Sequence, residues 1–480
     1  MKKAIITLVS LFVAISIFAQ NQDDALRYSL LYPLGTARYS AMGGAFGALG
    51  ADLSLAAYNP AGLAIYRSSE FTITPSFVFT NSNASNDKWG KFNDFDFNFQ
   101  LNNIGGVFTF KSPDKTEGWL NTNFALTYNR LKDFKTNVYA EGINNDNSLT
   151  DYFVNMANGN PPANLYQFEE GVAYNAYLLD TVGNATTYRS IYNGKYGELQ
   201  SFRKTTKGSE SELNFAFAGN YENKIYVGGS FNIQFIDYRH TQVIQEQDIN
   251  DSIPGFVKFD FDDHLSTDGS GVNLKLGFIY KVNNWFRAGL AVHTPTFYSM
   301  SDHYYTELNS YFDTITYNVS SPNSDYDYYL ITPARFISSF GFIFNQAGLF
   351  SLDVEAVNYG SSRMRSNDGY NWYNVNNAIS TMYKWGINIR SGLEYNLGAV
   401  ALRGGVAYYS SPYKDDKSIY TLGYNGGVRI RGERMYLDLT YSLLQTKERY
   451  YLYNINNTPA ITINANNSFN YFTATLGLRF

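Results

Sequence analysis

The chain has 480 residues, of which 17% are aromatic (42 Tyr and 36 Phe) and only 16% charged, against the roughly 25% charged residues of a soluble domain. A formal net charge of −5 argues against a nucleic-acid partner, and the absence of Cys excludes a disulfide framework and a thiolate nucleophile. A mean hydropathy of −0.29 excludes a bundle of membrane helices, yet it suits strands whose faces alternate between lipid and water.

The N-terminus reads as a secretory signal peptide, residues 1–19. Lys2 and Lys3 form its positive start, residues 4–18 its apolar stretch, and Ala19 precedes the cleavage point. The apolar stretch is shorter than the ~20 residues of a membrane-spanning helix, and no other segment comes near that length. A membrane protein without spanning helices must close its sheet, because lipid offers no partner to unpaired backbone groups. The expected fold class is therefore all-β: a transmembrane, antiparallel, up-and-down β-barrel.

Residues 20–68 show no period-two alternation and are expected to form a short helical hatch inside the lumen. Asp23 and Asp24 start a stretch, residues 25–32, that suits a short helix, and Pro33 and Gly35 break it. From Thr36 to Gly50 the chain is small and apolar, which lets it approach other backbone closely. Asn59-Pro60-Ala61-Gly62 is turn chemistry, since Pro fixes φ and Gly permits φ above zero. The glycine run does not make a dinucleotide fingerprint, because no strand precedes it and no βαβ unit surrounds it.

Residues 69–480 carry the barrel. Leu213, Phe215 and Phe217 alternate with Asn214, Ala216 and Ala218, and Leu437, Leu439, Tyr441 and Leu443 with Tyr436, Asp438, Thr440 and Ser442. Such runs predict about fourteen strands near 70–80, 95–110, 119–141, 210–221, 225–246, 257–280, 285–306, 328–344, 349–364, 384–396, 399–410, 419–430, 435–450 and 469–480. Short connections (111–118, 222–224, 282–284, 345–348, 397–398, 431–434) alternate with mostly longer ones (81–94, 142–209, 247–256, 307–327, 365–383, 411–418, 451–468). That parity belongs to outer-membrane barrels with tight periplasmic turns and long outer loops, and it places both termini in the periplasm. In the long segment 142–209, Tyr166, Phe168, Tyr174, Tyr177, Leu178 and Leu179 offer an apolar landing site. The last strand puts Phe472, Ala474, Leu476, Leu478 and Phe480 on one face.

A terminal Phe on such a strand resembles the signal read by the outer-membrane barrel assembly machinery. Outer-membrane lipid is the other expected partner, and a closed barrel has no edge to pair, so a monomer is expected. The four scattered histidines (His240, His264, His293, His303) give no pair at metal-ligand spacing within a helix, and neither a metal nor a cofactor is expected. Ser, His and Asp are present, but no nucleophile motif precedes a helix, so the chain does not read as an enzyme.

Ser40-Ala41-Met42-Gly43-Gly44-Ala45-Phe46, followed by Asp52 and Tyr58-Asn59-Pro60-Ala61-Gly62-Leu63, resembles the long-chain fatty acid transporter family of outer-membrane proteins, which includes aromatic-hydrocarbon channels. Weaker echoes stand at His293-Thr294-Pro295, Thr332-Pro333-Ala334-Arg335-Phe336, Asp353 to Tyr359, Leu402-Arg403-Gly404-Gly405 and Leu476-Gly477-Leu478-Arg479-Phe480. The resemblance implies a fourteen-stranded barrel in which a hydrophobic small molecule, by default a long-chain fatty acid, is caught by outer loops. It passes to a pocket above the hatch and leaves sideways through the wall without an energy source. Gly43, Gly44, Asn59, Pro60 and Ala61 are then the hatch-shaping residues, and Phe46 and Leu49 candidate pocket wall. Arg403 and Arg479, on the lumen face, are candidates for a fatty carboxylate, unless they pair with neighbours such as Asp353, Glu355 or Asp438. The long loop departs from the family pattern, and the position of the wall opening cannot be read. The alternatives are a barrel serving as a secretion shuttle or surface interaction protein and, as a minor one, haem uptake.

Overall fold

The computed structural model describes residues 21–32, 34–112, 117–345, 347–455 and 461–480. The expected signal peptide and the Pro33 helix break lie outside the described residues.

Nineteen hydrogen-bonded segments form one closed sheet of fourteen antiparallel staves. In chain order they are β1 (Glu70–Asn86), β2 (Gly90–Lys111), β3 (Trp119–Asp133, resuming at Thr136–Asn144), β4 (Glu198–Tyr221), β5 (Ile225–Gln247) and β6 (Phe256–Lys281). Next come β7 (Phe286–His293 and Phe297–Phe312), β8 (Ser324–Ile331 and Arg335–Phe344) and β9 (Gly348–Asn358 and Arg363–Arg365). The circuit ends with β10 (Trp385–Leu397), β11 (Val400–Tyr409), β12 (Thr421–Arg431), β13 (Met435–Tyr451) and β14 (Thr462–Arg479). A short strand, Thr316–Ser320, hangs on β7. β14 returns to β1 from Glu70↔Arg479 to Ser85↔Asn464, which closes the barrel.

The alternation is inside-out relative to a soluble protein. On β1 the exposed Phe71, Ile73 and Phe77 face outward, while the buried Thr72, Thr74 and Ser76 face the lumen. The same parity exposes Leu274 and Leu276 on β6, Leu437 and Leu439 on β13, and Phe472, Leu476 and Leu478 on β14. Exposed Trp119, Tyr221, Trp285 and Tyr395 ring the short-turn end, as interfacial aromatics do in a membrane barrel. No described helix is long and apolar enough to cross a membrane.

Short and long connections alternate except at the first. β1 and β2 pair as far as Asn86↔Gly90, so residues 87–89 replace the loop expected over 81–94. Asn and Ser keep the period of two there, and polar strands extend beyond the apolar belt without needing lipid. The segment expected as a loop over 142–209 is likewise shorter, residues 145–197, and folded. It holds α3 (Leu149–Ala157), α4 (Glu170–Asn175) and a ribbon of Leu179–Thr181 with Tyr188–Ser190. Ser148 and Asp151 form a capping box on α3. Leu149, Phe153, Val172 and Leu178 pack against Phe202, Ile244 and Phe259 of the staves, so the segment is a cap with its own core. That core corrects the landing-site expectation: Leu178 and Leu179 are buried in it, whereas Tyr166 and Tyr177 remain exposed.

The described residues of the N-terminal segment, 21–32 and 34–66, lie in the lumen. A further helix, α1 (Gln22–Arg27), is capped by Asn21 and Asp24. Leu26 and Tyr28 share a cluster with Trp372 and Tyr383 of the β9–β10 connection, and Asp23 accepts a 2.9 Å hydrogen bond from the Tyr383 hydroxyl. The first described residues therefore sit at the long-loop end, opposite Phe480, rather than sharing its end as expected. From there the chain descends through α2 (Ala37–Ala41) and two 3₁₀ turns, Leu53–Ala57 and Pro60–Ile65, before entering β1.

Candidate functional site

The hatch is held by close backbone approach and by wall side chains. Thr36 caps α2, and Gly43 and Gly44 follow it with φ of 65° and 77°, values that Gly adopts at no steric cost. A Cβ at Gly405 of β11 would collide with the Gly43 amide, one at Gly228 of β5 with the Pro60 carbonyl, and one at Gly277 of β6 with the Asn59 side chain. Gly289 faces the Gly47 carbonyl in the same way. These wall glycines are the docking surface of the hatch. From β9, Asp353 Oδ2 accepts the Phe46 and Gly47 amides at 3.1 and 3.0 Å.

Asn59, Pro60 and Ala61 form one turn. Asn59 Nδ2 donates to the Gly47 carbonyl, its Oδ1 accepts the Ala61 amide, and Pro60 opens the 3₁₀ turn, where its missing N–H costs nothing. Phe46 and Leu49 are buried within the hatch beside Tyr39, Met42 and Leu55. They are hatch core and line none of the lumenal cavities described below.

Both candidate arginines are committed to neighbouring carboxylates. Arg403 lies between Glu394 and Asp438, each at 2.6 Å, and Arg38 of α2 joins Glu394 at 3.0 Å, tying hatch to wall. Arg479 pairs with Glu70 at 2.8 Å, next to the Tyr66 and Tyr436 hydroxyls. A buried pair of this kind persists because removing one partner strands the other.

Sequence reasoning missed a polar chamber above the hatch. It is lined by Lys275, His293, Arg335, Glu355 and Arg390 from the wall and by Tyr28, Leu31 and Tyr58 from the threaded segment. Lys275 pairs with Glu212 and donates to the Ala57 carbonyl, and Arg335 and Arg390 share Glu355 at 2.8 and 3.1 Å. His293 Nε2 donates to the Tyr58 carbonyl at 2.7 Å. Arg390 keeps a buried Nε with no partner. The signal was present in the His293-Thr294-Pro295 and Thr332-Pro333-Ala334-Arg335 segments. Each interrupts a stave, and Thr332 and Thr296 bond across the break where Pro supplies no N–H. The chamber has a volume of ≈ 30 Å³, and a second, between Tyr32, Gly43 and β11–β14, ≈ 40 Å³. Each holds about one water, so in this conformation the described hatch fills the lumen around them.

The wall opens between β2 and β3. β2 pairs with β3 from Asn103↔Asn129 to Lys111↔Asn121 and no further. Beyond Asn129, β3 follows β4 alone, breaks after Asp133, and resumes against β4 at Thr136↔Thr206. Residues 90–101 of β2 thus keep their β1 partners but, like the bulged Asn102, have no ladder partner in β3 among the described residues. Side chains bridge the gap: Lys135 to Asp96 at 2.9 Å and to the Phe97 carbonyl at 2.7 Å, and Asn98 to Asp133 at 3.4 Å. Its rim is at lipid height, since Phe95, Phe97 and Phe99 are exposed and stack with Phe77 and Phe79. Gly208 (φ 103°) accepts the Phe134 amide at the break, a Gly signal that no strand pattern reveals.

No family model matches the sequence, and no curated protein sequence is significantly similar to it. Solved structures do share its fold. A Pseudomonas aeruginosa FadL homologue aligns over 94% of this chain and 100% of its own, with a TM-score of 0.58 at 13% identity. The Pseudomonas putida toluene transporter TodX gives 93% and 98%, 0.54 and 12%. The Ralstonia pickettii toluene transporter TbuX gives 94% and 99%, 0.50 and 14%. At these identities the likeness establishes the hatch-bearing barrel fold.

Proposed function

We propose that the protein is an outer-membrane channel for passive entry of hydrophobic small molecules, with long-chain fatty acids the first substrate class, and not an enzyme. The long loops and cap face outward and the short turns the periplasm. The observation that carries this reading is the pairing of a filled lumen with a wall whose ladder opens at lipid height. A greasy molecule gains nothing from a water-filled pore, whereas a lateral exit keeps its apolar surface out of water. The solved channels of the same fold, which include toluene transporters, support the same class of cargo. The chamber above the hatch suits the acid head group, with Arg390 offering an unpartnered Nε beside Arg335 and Lys275. Displacing the Tyr28–Leu31 segment would enlarge that chamber, so ligand binding and hatch movement are one event in this scheme.

Oleate entry into liposomes carrying the protein tests it, beside the hatch-altered Asn59→Ala, Pro60→Ala double variant. Entry faster than into empty vesicles, and changed by the double variant, supports the channel. Entry no faster than into empty vesicles overturns it and favours an interaction role for the folded cap.

A further inference from the structure

On the outward face of the staves, beyond the apolar belt, three side chains of metal-binding type converge. Asp262 and His264 stand two residues apart on β6, and Glu307 lies directly opposite Asp262 on β7. One ligand atom from each lies within 4.8 Å of the others. All three follow the parity of the exposed Val272, Leu274 and Phe297, with the register unbroken between them, so they point away from the lumen. Counting about 3.3 Å per residue, Asp262 is roughly 30 Å along the strand from Val272. The cluster therefore stands above the lipid.

We propose that Asp262, His264 and Glu307 bind a divalent transition-metal ion, with zinc the best fit. Two carboxylates placed directly opposite on neighbouring strands repel and cost stability. The Lys258 ammonium offsets this only in part, because it is engaged by Asp260 at 3.0 Å. Asp262 Oδ1 and His264 Nε2 are both shielded from solvent without a hydrogen-bond partner. The imidazole is already oriented: Thr241 Oγ1 of β5 lies 3.2 Å from Nδ1, and the Tyr305 ring stacks on it at 4.5 Å and 11°. With Thr241 accepting the Nδ1 proton, the lone pair falls on Nε2, the nitrogen left without a partner to meet a cation, and a hydrogen bond at the other ring nitrogen is how metal-bound histidines are held. One imidazole and two carboxylates make an N/O donor set suited to zinc, with an outward position left for water. The imidazole disfavours calcium, which takes oxygen ligands. Sequence reading passed over the set because Glu307 comes from another stave and because ligands two residues apart share a face only in a strand.

The full-length barrel in detergent, stripped with EDTA and titrated calorimetrically with zinc chloride, should bind one equivalent per chain and gain thermal stability. Cobalt chloride should give the absorption bands of a low-symmetry site. His264→Ala should lose the high-affinity equivalent, Thr241→Val should weaken it by about tenfold or more, and Asp325→Asn, beside His303 on the same face, should leave it unchanged. Heat-modifiable migration in gels reports that each variant is folded. No zinc binding by the wild-type barrel, or equal affinity in a folded His264→Ala, overturns the site, and neither result bears on oleate entry.

Discussion

Asn59 ties two separate turns of the hatch together, donating from Nδ2 to the Gly47 carbonyl at 2.7 Å while its Oδ1 accepts the Ala61 amide at 3.2 Å. Both bonds are buried, so Asn59→Ala strands two groups at about 1–3 kcal/mol each. The loss falls on the hatch, since the barrel ladder is untouched. Hydrogen exchange should quicken roughly tenfold or more over residues 46–62, with the staves unchanged. Equal protection in the variant would show that the turn is held by packing alone.

Gly405 and Gly404 make a matched pair. A Cβ at Gly405 strikes the Gly43 amide, whereas one at Gly404 meets nothing nearer than the Asn425 carbonyl at 3.9 Å. Gly405→Val should displace the hatch and admit probes to the lumen, seen as raised ion conductance across a planar bilayer. Gly404→Ala should behave as wild type. Equal conductance in the two variants would mean that the wall glycines do not seat the hatch.

Arg403→Met separates a structural charge from a ligand-binding one. The substitution leaves Glu394 to Arg38 and Asp438 to Arg429, so the loss falls short of the about 3–5 kcal/mol of a buried charge left with no partner. Unfolding in urea should shift accordingly, while oleate affinity of the folded barrel stays the same. A selective loss of oleate affinity would return Arg403 to the ligand.

The barrel was legible because its signals are periodic: period-two alternation, loop parity and the apolar face of β14 need no tertiary information. The hatch showed itself through Gly43-Gly44 and Asn59-Pro60, whose backbone demands are local. The chamber did not, because Lys275, His293, Arg335 and Arg390 come from four staves and meet only on closure. The wall gap escaped for a related reason. It is an absence of pairing between β2 and β3, and each strand alone still alternates. Loop 142–209 was misjudged because the capping box at Ser148 and Asp151 and the apolar spacing of Leu149 and Phe153 sit inside an otherwise polar run.

The cap should loosen as pH rises. Burial pushes the Glu169 carboxyl up to about 7, with Glu170 and Asp263 adding to the rise and the Tyr152 hydroxyl opposing it. Burial likewise raises Glu198 to about 7. Both carboxyls hold a proton more tightly folded than unfolded, so their contribution is complete below about 4.5, the ordinary Glu value, and is lost as pH climbs to about 7. Exchange in residues 145–197, corrected for the intrinsic rate, should increase between pH 5 and 7, over roughly the interval those pKa values set. Glu169→Gln should flatten the trend, and an unchanged trend would assign it to other groups.

The wall gap gives the sharpest test of the exit route. Asn98 and Asp133 face each other across it at 3.4 Å, and the chain has no Cys, so Asn98→Cys with Asp133→Cys introduces a single addressable pair. Bridging that pair with a short bis-maleimide or by oxidation replaces weak side-chain contacts with a covalent strap at lipid height. If cargo leaves sideways between β2 and β3, the strap should reduce oleate entry to the rate of empty vesicles, and reducing the disulfide should restore it. The lumen and the hatch are unaltered by the strap, so loss of entry cannot come from a misplaced plug. Full entry through the strapped barrel would move the exit elsewhere, and the interruption at Thr294-Pro295 and Thr332-Pro333 beside the chamber would be the next place to strap.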